Sequence, residues 1–219
     1  MHKYRVLLAA CALACVMLVG CHQPIRDVQS ASIKTTYCYA ATAENMTGHV
    51  DRYVDGQTPN GWFERINPVI RRGHTTVNGL PYPHQHGFCI FEVPSFSSPG
   101  MVPVCTLFYY QRAHSGSADL DVVRSTYALW EGEDDDFYWS ISNSTFHIAG
   151  DVAQANNGWH SVPLLSSGIQ IVDSLGETGG GTLVTGWKYT GSTSGTYAEV
   201  DGATNDYPPY IKVVYDDEP

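Results

Sequence analysis

The stretch Tyr82-Pro83-His84-Gln85-His86 holds the pair of side chains whose types and spacing most suggest chemistry. In an extended segment, residues i and i+2 point to the same side, so the His84 and His86 imidazoles share a face, and His74 upstream allows a metal site to be sketched. Zinc needs three or four ligands at known reach and partners that orient them. No further ligand follows at such a spacing, so solvent-facing loop histidines are the expectation, with His84 and His86 as metal candidates. The acidic run Glu131-Gly132-Glu133-Asp134-Asp135-Asp136 offers carboxylate oxygens to Ca²⁺. It lacks the alternation and the placed turn glycine of a calcium loop, so a solvated loop tip is expected and no cofactor is implied. The glycine pair Gly191 and Gly195 has Thr193 at its centre and makes no serine nucleophile elbow. Nothing places two carboxylates about 5–10 Å apart, as glycoside hydrolysis requires. The chain reads as non-catalytic.

Aromatic residues carry the better functional signal. Trp187 and Tyr189 lie two apart and on a strand would form a flat platform, while Trp130, Tyr138 and Trp139 flank the acidic run. Sugars stack their apolar C–H faces on such rings while polar neighbours take the hydroxyls. Leu183 and Thr185 share the face of Trp187 and Tyr189, which favours a core position for that pair. Trp130, Trp139, Trp187 and Tyr189 are therefore the candidate glycan-binding residues, with Trp130 at a loop edge the best placed for exposure.

The elements that would carry them are strands. The chain has 219 residues, with Gly 21, Pro 12, Tyr 14 and only 16% charged residues, a turn-rich all-β composition. His86 to Pro94 and Val104 to Tyr110 read as two strands of one β-sandwich, placed close together and joined by the loop Ser95 to Pro103. Further strands are expected at 33–41, with Tyr37 and Tyr39 on one side, at 62–66 and at 119–130. Phe137 to Ile148 reads as extended, and Ile148 to Asn156 as the one candidate for a short helix. Asn157 to Leu164 gives a turn and a strand, and strands follow at 182–189, 196–200 and 210–215. In the last of these Ile211, Val213 and Tyr215 share a face. No internal repeat and no long linker divides residues 33–219.

Residues 1–20 read as a signal peptide, with His2, Lys3 and Arg5 before an uncharged run from Val6 to Gly20 that is short of the roughly 20 residues a spanning helix needs. Leu18-Val19-Gly20-Cys21 resembles a bacterial lipobox, which implies acylation at Cys21 and a polar tether over residues 21–32. His22, rather than aspartate, follows the cysteine, which directs the expectation to the outer membrane or cell surface. The full chain carries a net charge of −10, and loss of Lys3 and Arg5 brings it to about −12. Such a surface repels phosphate backbones, so no nucleic-acid partner is expected. Past Cys21 the chain holds Cys38, Cys89 and Cys105. Either one pair is bridged, Cys89–Cys105 being suggested by the closeness of their two runs, or all three are buried free thiols.

The ordered motifs also resemble a known family. His86-Gly87-Phe88-Cys89-Ile90-Phe91-Glu92-Val93-Pro94, then Val104 to Tyr109, then Gly158-Trp159-His160-Ser161-Val162, then Tyr197 to Val200 and Tyr207 to Tyr215 are similar to the strands of DNRLRE-type domains. His86, Glu92 and Val162-Pro163-Leu164 depart from the family's usual basic residue, aspartate and "DVT". The resemblance implies a single jelly-roll-like antiparallel β-sandwich of the carbohydrate-binding-module type over residues 33–219, without enzymatic activity. Together these readings predict a lipid-anchored surface protein whose domain binds a glycan, or else a structural module that docks on envelope proteins.

Overall fold

The computed structural model describes residues 32–43, 46–52, 62–64, 69–77, 80–98, 102–116, 118–126, 134–154, 156–188 and 196–216. Ile33–Pro219 forms one compact unit. Its strands are β1 (Ile33–Ala40), β2 (Thr47–Arg52), β3 (Trp62–Glu64), β4 (Val69–Val77), β5 (Leu80–Val93), β6 (Val104–Ser115), β7 (Ala118–Arg124), β8 (His147–Gln154), β9 (Gly158–Pro163), β10 (Gly181–Lys188), β11 (Tyr197–Asp201) and β12 (Tyr210–Asp216). Helix α1 covers Asp134–Ser142 and α2 covers Ser166–Glu177. All strand pairings are antiparallel, and the fold is all-β and sandwich-like.

Strand β5 is the spine. One of its edges pairs with β4 and then β10, and the other with β2 and then β1. The pairing of Tyr39 and Ala40 with Glu92 and Phe91 closes the circuit β1–β12–β6–β11–β4–β5 on itself. Alternation along β5 sends Cys89, Phe91 and Val93 into the main core and Phe88 and Ile90 into a second cluster on the opposite face. Tyr109 of β6 meets Trp187 of β10 edge to face at 5.3 Å, although their strands are not neighbours in the sheet. This pair packs the two layers face to face and is worth about 0.5–1.5 kcal/mol beyond its burial. Thr185 donates its hydroxyl to the Cys89 carbonyl at 2.7 Å and accepts the Trp187 indole N–H at 3.1 Å, so the buried indole is satisfied.

The helices differ from the sequence reading. Phe137 to Ser142 is helical rather than extended, and Ile148 to Gln154 is strand rather than helix. Phe137, Tyr138 and Ile141 fall on one helical face and cover Phe88, Ile90, Val50 and Val123. Gly186 admits this helix, since a Cβ there would stand 2.6 Å from the Ile141 side chain. Helix α2, to which the sequence reading gave no element, buries Gly168, Val172 and Gly176 at a spacing of four. A Cβ at Gly168 would meet the Ile148 carbonyl at 2.7 Å, so the helix backbone rests directly on β8. None of the described helices is long and apolar enough to cross a membrane.

The expected closeness of the two central runs is also corrected. β5 and β6 are not paired; β11 and β4 lie between them in the sheet order. The suggested Cys89–Cys105 bridge therefore does not form, and Cys38, Cys89 and Cys105 are all free and buried. Cys89 lies on β5 and Cys105 on β6, two strands that do not pair. Cys38 and Cys105 flank β12 opposite Ile211 and Val213, two strand spacings or about 9–10 Å apart. That separation exceeds the roughly 7 Å Cα limit for a disulfide.

Burial raises the Cys38 and Cys105 thiols from 9.0 to about 12, with Cys38 and Asp173 adding to the effect at Cys105, and it raises Cys89 as well. Below pH 9 these thiols are protonated whether the chain is folded or not, so their contribution to stability is intact. As pH climbs from 9 towards 12 only the unfolded chain ionises, and stability falls. Iodoacetamide at pH 8 is expected to leave Cys38, Cys89 and Cys105 unlabelled in the native protein and to modify all three in denaturant, as read by peptide mapping. A native disulfide in that map would contradict the free-thiol assignment.

Candidate functional site

The solvent side of β1, β12, β6 and β9 is paved with aromatic rings. Alternation turns Cys38, Ile211, Val213, Cys105 and Leu107 inward and leaves Tyr37, Tyr39, Tyr210, Phe108, Tyr110 and Trp159 outward. Register then aligns them across the strands. Tyr39 lies opposite Tyr210, Tyr210 opposite Phe108, and Tyr110 opposite Trp159. Directly opposed residues hold their Cβ atoms about 4.5–5.5 Å apart, close enough for each ring to touch the next.

The contacts run without a break. Tyr37 and Tyr39 stack at 6.0 Å, Tyr39 meets Tyr210 at 6.2 Å, and Phe108 and Tyr210 are nearly parallel at 5.0 Å. Trp159 stands nearly perpendicular to Tyr110 at 5.8 Å and to Tyr207 at 5.9 Å, and it meets Tyr210 at 6.0 Å. Tyr37, Tyr39, Trp159 and Tyr207 are 41%, 55%, 48% and 44% exposed, so these rings are only partly sunk into their neighbours. A contiguous apolar surface of this kind on a folded domain marks an interaction site.

Tyr207 reaches the face from a loop, and the Asp201 carboxylate fixes that loop. Asp201 accepts the Tyr207 backbone N–H and the Asn205 side-chain amide at 3.2 Å, and pairs with Arg112 at 3.7 Å. Burial pushes its carboxyl above the usual range against the pull of those donors. The turn that presents Tyr207 is thus held by a buried acceptor as well as by the packing of its ring on Tyr110 at 4.4 Å.

The residues expected from sequence fall elsewhere. Trp187 is fully buried in the core and unavailable to a ligand, because its strand is sandwiched between β5 and β7 over the main core. Tyr189 and Trp130 lie outside the described residues. Trp139 is 37% exposed on α1, edge to face with Tyr138, remote in the fold from the aromatic face. His86 is buried and stacked on Tyr138 at 4.7 Å, not facing solvent, while the side chain of His84 lies outside the described residues. Among the described residues no group of three potential ligands is placed to hold a metal. Of the acidic run, Asp134 to Asp136 open helix α1, where the helix dipole favours negative residues.

Sequence reasoning missed the aromatic face. Its signal was present in Tyr37-x-Tyr39 and Phe108-x-Tyr110, but pairing of β6 with both β9 and β12 is what gathers the rings. One further arrangement has a catalytic look: buried Asp121 holds the His147 Nδ1 at 2.7 Å. Among the described residues no hydroxyl or thiol is hydrogen-bonded to the other ring nitrogen. Comparison with protein-family models finds no family that matches the chain, and comparison with curated proteins likewise finds no match.

Replacing Asp201 by alanine strands the Tyr207 N–H and the Asn205 amide. Urea unfolding is expected to show a loss of about 1–3 kcal/mol, and deuterium exchange at the Tyr207 amide should accelerate at least about tenfold. Unchanged exchange would mean that the loop is held by ring packing instead.

Proposed function

We propose that this chain is a non-catalytic, membrane-anchored surface lipoprotein whose outer aromatic face binds a glycan. The observation that carries the reading is the unbroken set of half-exposed rings from Tyr37 to Tyr207, all but Tyr207 of them built on paired strands. Rings held by a sheet are already ordered, so stacking a sugar on them requires little loss of conformational freedom. Outward Thr106 and Ser161 sit beside the rings in register and supply hydroxyls for hydrogen bonding. The face is open, which suits a polymer laid across it better than a small molecule enclosed by walls. The resemblance to DNRLRE-type domains agrees with a module of this kind.

The anchor rests on the lipobox-like Leu18-Val19-Gly20-Cys21 and the short polar tether before β1. Cys21→Ser is expected to abolish incorporation of labelled palmitate and to move the protein from the membrane fraction to the soluble one. Continued labelling of the variant would exclude Cys21 as the acylated residue.

A second reading, docking of an envelope protein or another copy of the chain, is favoured by Ile33, Val102 and Val104. These are 68%, 70% and 57% exposed and extend the same face as aliphatic surface. A glycan array probed with the full chain in mild detergent separates the two. Specific glycans should be retained, and Trp159→Ala or Tyr39→Ala should weaken them about tenfold, equivalent to 1.4 kcal/mol, while Trp139→Ala leaves them unchanged. No retention at saturating protein, together with self-association that Val104→Asp disrupts, would establish the second reading in its place.

A further inference from the structure

On the aromatic face, Lys212 stands between Tyr37 of β1 and Thr106 of β6 in register. Along β12 its outward neighbours are Tyr210 and Val214. Every one of these positions is uncharged. Among the described residues Lys212 forms no ion pair, although the chain carries 22 acidic residues against 12 basic ones. Arg112, on the outward side of the neighbouring strand β6, is by contrast already engaged by Asp201 at 3.7 Å. Lys212 is also half-buried, the position of a lysine whose stem lies along the sheet while its ammonium stays in reach of solvent and of a ligand on this face.

We infer that the ligand of this face carries an anionic group, a sugar carboxylate or sulfate, that is received by the Lys212 ammonium while the adjoining rings take the apolar faces of the sugar. The inference rests on the glycan-binding reading and narrows its substrate class. A lysine is a point charge without the fork that selects planar carboxylates, so it accepts either acid. The acidic surface of the molecule does not forbid this. At physiological ionic strength the Debye length is about 8 Å, so distant carboxylates are screened while a contact at hydrogen-bond distance is not. Charge-assisted hydrogen bonds are also about twice as strong as neutral ones, which makes one well-placed cation decisive on a face otherwise neutral.

The test uses polymer pairs that share a backbone and differ at the acid: polygalacturonate against its methyl ester, and carrageenan against its own desulfated form. Binding of the full chain in nonionic detergent is measured at low and high salt for the wild type, Lys212→Gln, Lys212→Arg and Trp159→Ala. The expected result is that the wild type prefers the acidic member of at least one pair by about tenfold or more, and that salt erodes the preference. Lys212→Gln should remove it without weakening the neutral member, Lys212→Arg should restore it, and Trp159→Ala should weaken both members. The pair that shows the preference identifies carboxylate or sulfate. Equal binding of both members by the wild type, or a preference that survives Lys212→Gln, overturns the inference and leaves the platform intact. Binding of neither member of either pair overturns the inference and counts against the glycan reading as well.

Discussion

Strand β5 can pair along both edges and be covered on both faces only if every one of its side chains finds a partner. Phe88 and Ile90 find theirs beneath α1, and Cys89, Phe91 and Val93 in the main core. A strand buried on both sides reads as a nearly continuous apolar run, and 88–91 is one. Because β5 reaches β4, β10, β2 and β1, a shift of one residue in its register would turn each of these side chains to the wrong face at once. The closure onto β1 is the most consequential of these pairings. It fixes β1 against β12, and through β12 the position of β6, so the place of the outer aromatic rings depends on Tyr39 and Ala40 being held opposite Glu92 and Phe91.

That closure also explains why the aromatic face stays exposed. The inward positions of β1, β12 and β6 are already filled by Cys38, Ile211, Val213, Cys105, Leu107 and Tyr109, all with negligible exposure. The helices cover other regions: α1 lies over the second cluster, and α2 rests on β8. No described element is left to cover Tyr37, Tyr39, Tyr210 and Trp159. The rings answer by covering one another, burying part of their area through the stacked and perpendicular contacts that their quadrupoles favour. Free thiols at the base of the same sheet fit this picture. The main core encloses Cys38 and Cys105 as small hydrophobes and holds them too far apart to bridge.

Strand alternation made much of this fold legible in the sequence. The placement of β1, β9, β10, β11 and β12 follows from residues such as Tyr37 and Tyr39, or Ile211 and Val213, which a period of two sorts onto opposite faces. The helices escaped because local propensity points elsewhere. Phe137, Tyr138 and Trp139 are aromatic residues that favour strands, and Gly168, Ile169, Ile171, Val172 and Gly176 combine glycine with β-branching, a poor helical composition. Tertiary packing on Phe88 and Ile148 overrides both preferences. The site was harder still. Trp187 drew notice because it lies two residues from Tyr189, and it occupies the core position that Leu183 and Thr185 on the same strand face favoured. The exposed rings come from β1, β6, β9 and β12, together with Tyr207 from the loop before β12. Only long-range register brings them together, and a single sequence does not display it.

A flat and open surface sets its own terms for recognition. On the glycan-binding reading proposed above it would exclude little water and immobilise few side chains, so each stacked sugar would add a modest increment and the loss of any one ring would be partial. Strength must then come from repetition. A polymer presents the same sugar many times, and a domain tethered through Cys21 would present many copies of the face on one membrane. The second contact then becomes intramolecular, with an effective concentration set by the short tether spanning residues 21–32. Under these conditions Lys212, which forms no ion pair among the described residues, would contribute selectivity more than strength. Stacking treats most sugars alike, whereas one cation amid neutral neighbours distinguishes those that bear an acid, and repetition along the chain multiplies that distinction.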